Sequence, residues 1–188
     1  MKGARVVSMP SALQAFITDL DVLVGKNFPN EEVTQLFKQH PFDQEMLEPY
    51  TFLSEQRYTR NLLYKMPEYE VLLLCWSPQQ KSPIHGHEGE KCWMRVEAGE
   101  LYFSNYSLKS VDSEVFVDLD CSEVGGRGFV DGPAVIHRVE NLTQAPAISL
   151  HLYARPFAQC DIFDKENRVR ERVDLQYDSM YGKLTYAR

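Results

Sequence analysis

From about residue 57 onward, short stretches rich in valine, leucine, tyrosine and phenylalanine recur between glycine, proline, asparagine and serine. They fall at 58–64, 69–77, 82–87, 92–98, 100–107, 114–119, 128–131, 134–139, 147–153, 168–177 and 183–187. Ten or eleven short strands at this spacing, with no helical pattern between them, specify antiparallel pairing closed into a sandwich or barrel. A barrel can hold inward-facing polar side chains in a dry pocket. No internal repeat or linker interrupts the 188 residues, so a single mainly β domain is expected over 1–188, with 57–188 supplying the barrel and C-terminal strands.

The first fifty residues carry a different period. Leu13, Phe16, Ile17, Leu20 and Leu23 or Val24 form a helical stripe that stops at Gly25, and Ser11 with Gln14 has capping-box spacing. Asn30 is the expected cap of a second helix, with Glu31 and Glu32 favourably placed against its dipole and Val33, Leu36 and Phe37 on its apolar face. Pro41 ends it, and Asp43 caps one more short helix that Pro49 stops. Residues 1–50 are therefore expected to be a helical cover without chemistry of its own.

Charge and cysteine usage narrow the function classes. A formal charge of −7 argues against a nucleic-acid partner, whose binding surface is usually basic. No stretch approaches the roughly 18 apolar residues of a membrane span, and Met1 to Val7 lacks the apolar run of a signal peptide. Cys75, Cys92, Cys121 and Cys160 are irregularly spaced and read as reduced thiols, so a cytoplasmic protein is expected. No exposed amphipathic surface stands out beyond the N-terminal helices, so a monomer is expected.

The chemistry concentrates at residues 82–99. His85 and His87 are two apart, so on an extended strand both imidazoles face the same way, in chelating geometry. His137 and His151 each lie in a later apolar run, so a third ligand is available. The spacing resembles the first cupin motif, G-x5-H-x-H-x3,4-E-x6-G, with Cys92 where the glutamate ligand would stand and Gly99 closing it. His137-Arg138-Val139-Glu140-Asn141 matches the end of the second cupin motif, although Gly132 and Ala134 replace its proline and glycine. Three neutral imidazoles leave a divalent metal with its full charge, which favours an anionic ligand from the substrate.

With Cys92 in the glutamate's place, the chain resembles the cysteine dioxygenases, thiol dioxygenases of the cupin superfamily. Tyr58-Thr59-Arg60-Asn61-Leu62, Leu74-Cys75-Trp76, Ile84-His85-Gly86-His87, His137-Arg138-Val139-Glu140-Asn141 and Ser149-Leu150-His151-Leu152-Tyr153 carry the likeness over about residues 57–164. The resemblance implies a cupin double-stranded β-helix and a site in which His85, His87 and His137 hold Fe(2+). It implies L-cysteine and O2 as substrates and cysteine sulfinate as product, with sulfur and amine on the iron and the carboxylate on Arg60, helped by Tyr58. A charge-assisted, bidentate contact of this kind cannot be made by lysine. Ser149, His151 and Tyr153 alternate along one strand, so a Ser to His to Tyr hydrogen-bond chain is expected, ending with the Tyr153 hydroxyl near the iron. In mammalian-type members the cysteine and tyrosine matching Cys92 and Tyr153 are joined by a thioether, and the same crosslink is expected here.

Two departures bear on these expectations. Ala154-Arg155-Pro156-Phe157 stands where the family has consecutive prolines, which puts a cis peptide there in doubt and brings a second cation to the pocket mouth. Cys160 lies near the position from which related mercaptopropionate dioxygenases supply a carboxylate-binding arginine, which favours cysteine as substrate. The same chemistry on 3-mercaptopropionate or cysteamine, a zinc cupin hydrolase or isomerase, and a ligand-binding cupin without turnover are the alternatives.

Overall fold

Prolines and glycines set the limits of the helices much as the pattern requires. The computed structural model describes residues 9–111 and 114–185. Helix α1 spans Ser11–Val24 and α2 spans Asn30–Gln39, but Pro10 and Pro29, not Ser11 and Asn30, occupy their N-cap positions, and neither cap has a side-chain hydrogen bond. The expected capping box therefore does not form. Proline's preset φ starts each helix instead, with the first turn closed onto the Pro10 and Pro29 carbonyls. Asp43 does cap α3 (Gln44–Leu47), accepting from the Met46 amide at 2.7 Å, and Pro49 sits in the 3-10 turn that follows.

The described residues form thirteen strands in two sheets. They are β1 (Thr59–Lys65), β2 (Glu70–Trp76), β3 (Ile84–Gly86), β4 (Lys91–Ala98), β5 (Glu100–Val111), β6 (Glu114–Gly126) and β7 (Val130–Asp131), followed by β8 (Ile136–Glu140), β9 (Ala147–Ala154), β10 (Gln159–Asp164), β11 (Val169–Asp174), β12 (Ser179–Met180) and β13 (Lys183–Leu184). One sheet runs β13-β12-β1-β2-β9-β4-β7 and the other β11-β10-β3-β8-β5-β6. All pairings are antiparallel except β1 with β12.

Two strands, β10 and β12, escape the sequence pattern. In β10, Gln159, Asp161 and Asp164 dilute the apolar signal, and the segment is extended because it completes the ladders of both β3 and β11. Gly99, at φ +72°, makes the tight β4–β5 turn, where a Cβ would come within 2.9 Å of the Ala147 backbone.

Alternation along β2, β4 and β9 divides the core in two. Tyr69, Val71, Leu73, Cys75, Trp93, Leu150 and Leu152 face the helices, where Leu13, Phe16, Ile17, Leu20, Val33 and Phe37 cover them. Leu72, Leu74, Trp76, Cys92, Met94, Val96 and Tyr153 face inward with Leu101, Phe103 and Val139 of the opposite sheet. At about 25 cal/mol per Å2 of apolar surface, both layers contribute substantially to the folded state. Among the described residues no helix is long and apolar enough to cross a membrane.

Candidate active site

The inner layer becomes polar at one end of the barrel. His85 lies on β3 directly opposite His137 on β8, while His87 follows one residue past the end of β3. The three rings converge with centroids 4.7, 4.8 and 5.1 Å apart. One nitrogen from each lies within 4.8 Å of the others, the only such cluster of potential metal ligands among the described residues.

The donors are prepared for a cation. His85 Nδ1 is 3.0 Å from the Pro83 carbonyl, a contact that puts the proton on Nδ1 and leaves the Nε2 lone pair free. His87 and His137 are buried, and neither nitrogen of His87 nor Nδ1 of His137 has a hydrogen-bond partner. Orphaned buried imidazole nitrogens are costly unless something binds them. Burial lowers the pKa of His85 to about 4 and of His87 to about 3, and drives that of His137 well below the usual imidazole range. All three are thus neutral ligands at physiological pH, and this donor set fits a divalent transition metal.

Around the cluster stand the other residues singled out in the sequence. Arg60 on β1 is buried, its Nε has no partner, and its guanidinium carbon lies 5.5 Å from the Tyr153 ring centroid. Tyr58 stacks on Trp76 at 4.4 Å. Ser149, His151 and Tyr153 share the inner face of β9; Trp76 Nε1 donates to Ser149 Oγ at 2.9 Å, and Ser149 Oγ lies 2.8 Å from His151 Nε2. The chain expected to continue to tyrosine stops there. The His151 and Tyr153 rings stack face to face 5.9 Å apart, with His151 Nε2 turned toward Ser149 and His151 Nδ1 left without a partner.

Cys92 on β4 is paired in register with Tyr153 on β9, and both side chains are buried. Phe157 closes the wall, its ring 5.2 Å from Tyr153 and 6.0 Å from His87. The Ala154–Arg155 peptide is cis despite the missing proline, which corrects the doubt raised from the sequence. The Arg155 side chain is 66% exposed and 3.9 Å from Glu90, so it points away from the pocket interior. Cys160 is buried. His40, the remaining histidine, pairs with Asp19 on the helical layer.

The family model for cysteine dioxygenase type I matches residues 1–166. The chain belongs to this family. As a cysteine dioxygenase family member it is an oxidoreductase, a thiol dioxygenase with a cupin fold. Cysteine dioxygenase type 1 of Danio rerio is 27% identical over 191 residues, covering 95% of this chain and 92% of that protein. The Homo sapiens protein of the same name is 28% identical over 184 residues, with coverage again 95% and 92%. Among solved structures, an uncharacterized conserved protein with a double-stranded β-helix domain from Klebsiella pneumoniae superposes with a TM-score of 0.51 at 16% identity, covering 62% of this chain and 87% of that one. That likeness concerns the fold alone.

One inner-face residue at this end of the barrel carries no sequence motif. Glu70 opens β2 opposite Tyr153 and is fully buried. The available signal was a charged residue immediately before an unbroken apolar run, on the same side of the strand as Leu72 and Leu74.

Proposed function

We propose that this enzyme converts L-cysteine and O2 to cysteine sulfinate, using Fe(2+) held by His85, His87 and His137. What carries this reading is the convergence of three neutral imidazoles, with nitrogens left unpartnered in a buried site, beside a buried arginine whose Nε is also unpartnered. The metal, when bound, brings thiol and O2 together and lets electrons pass between them. Overall, sulfur loses its proton and gains two oxygen atoms, and O2 is the only oxidant required.

The protein groups bind and orient the substrate. Arg60 takes its carboxylate, with Tyr58 alongside, held by its stack on Trp76. The Tyr153 hydroxyl faces the reacting atoms as a hydrogen-bond donor. Ser149, itself fixed by Trp76, holds the orientation of His151, whose ring backs Tyr153. We further assign a thioether between Cys92 Sγ and the Tyr153 ring. The S–H and a ring C–H are lost, a C–S bond forms, and O2 takes up the hydrogens; the register pairing of the two residues supports it. The intact mass should then fall short of the reduced sequence value by the mass of two hydrogen atoms, and a mass equal to that value removes the assignment.

The enzyme is proposed to act as one domain and as a monomer in the cytoplasm; the four free cysteines accord with a reducing compartment. The deciding experiment is O2 uptake by iron-loaded, anaerobically purified protein supplied with L-cysteine, 3-mercaptopropionate or cysteamine. L-cysteine should be the preferred substrate. Zinc in the purified protein together with no O2 uptake after iron loading would sink the proposal.

A further inference from the structure

A buried carboxylate needs partners, and those of Glu70 lie in two directions. Its Oε2 accepts from the Tyr177 hydroxyl and lies 3.3 Å from Lys65 Nζ, which itself donates to the Tyr177 oxygen at 2.8 Å. Its Oε1 accepts no hydrogen bond and faces the Arg60 guanidinium at 4.0 Å, an ion pair too long for a hydrogen bond. Among the described residues, no other carboxylate forms an ion pair with Arg60.

The segment that supplies Tyr177 also braces the strand bearing Arg60. Asp178 accepts from the Arg60 amide at 2.9 Å and takes two guanidinium nitrogens of Arg57 at 2.7 and 3.0 Å. Ser179 donates to Asn61 Oδ1 at 2.8 Å. These contacts come from beyond residue 166, where the family-model match ends.

We propose that Glu70, held by Tyr177 and Lys65, is a positioning residue for Arg60, fixing the guanidinium against the pocket wall before a substrate carboxylate arrives. Arginine has much rotamer freedom to lose, and an anchor that removes it in advance strengthens carboxylate binding without touching the substrate. The 4.0 Å gap leaves guanidinium donors for that carboxylate. This inference rests on the assignment of Arg60 to the substrate carboxylate.

The test compares wild type, Glu70→Gln and Tyr177→Phe as full-length, Fe(2+)-loaded proteins. Each is titrated anaerobically with L-cysteine and with cysteamine by calorimetry, and O2 uptake is then measured. Glu70→Gln should weaken L-cysteine binding and raise its KM about tenfold, change kcat by less than about twofold, and leave cysteamine binding unchanged, because that thiol has no carboxylate. Tyr177→Phe should shift L-cysteine in the same direction by a smaller factor of about three. It carries the test if thermal melting shows that Glu70→Gln does not fold. L-cysteine binding that is unchanged or tighter, or a loss shared equally by both thiols, overturns the proposal. If wild type takes up no O2 with L-cysteine, the assigned reaction falls and takes this inference with it. If wild type is active and the variants match it, this inference alone falls.

Discussion

The two faces of the β2, β4 and β9 strands are made by the same backbone and do opposite things. On the face toward the helices, Val71, Leu73, Leu150 and Leu152 pack against α1 and α2. Its one large ionic feature is closed on itself: Arg95 bonds Glu97 at 2.7 Å, donates to the Phe37 carbonyl and lies over Phe42. On the inner side, Glu70 of β2 and His151 of β9, together with Arg60 of β1, His137 of β8 and His87 just past β3, all keep buried polar atoms without hydrogen-bond partners. A satisfied layer stabilises, whereas a layer left unsatisfied at one end is prepared for something that is not protein. Among the described residues the outer face has orphans of its own, Trp93 Nε1 and Arg95 Nη2, but Arg95 Nη2 still lies 2.6 Å from a Glu97 carboxylate oxygen, whereas the inner orphans converge on one site.

That contrast can be broken by substitution. The largest expected effect is from His87→Ala, which should weaken iron binding by more than about 100-fold and abolish O2 uptake while leaving the thermal midpoint of the metal-free chain no lower. Metal analysis and calorimetry check it. Arg60→Ala should cost about 2 to 5 kcal/mol of L-cysteine binding, seen as a raised KM with iron content unchanged. Arg60→Lys should recover little of this, because a point charge cannot reproduce the planar fork. Leu73→Ala tests the other face: urea unfolding should show a loss of about 2 to 5 kcal/mol, with KM and iron affinity within about twofold of wild type. If Leu73→Ala damaged iron binding as His87→Ala does, the division into two faces would fail.

A smaller effect sharpens the same comparison. Burial raises the Cys75 thiol to about 11, whereas Cys121 is exposed on the β5–β6 ribbon. Thiolate is the reactive form, so at about pH 8 iodoacetamide should modify Cys121 in the native protein and leave Cys75 intact until denaturant is added. Raising the pH toward 11 should begin to expose Cys75 chemistry only as far as the helical layer opens. Peptide mapping by mass spectrometry reads both sites.

What the sequence determined by itself is everything that depends on local period and on spacing. Alternation put His85 and His87 on one side of the chain, the stripes of α1 and α2 named the residues that bury, and the motif around Cys92 identified the family later matched over residues 1–166. Roles that depend on which strands become neighbours were not legible. The Ser149–His151 contact follows from a side-chain spacing along one strand, but its anchor on Trp76 and its failure to reach Tyr153 depend on how β2 and β9 pair. Strand β10, with its acidic residues, exists because two ladders need it. Glu70 gained a function-bearing position only when β1, β2 and the C-terminal segment met, since a carboxylate's meaning is set by the charges within a few ångströms of it.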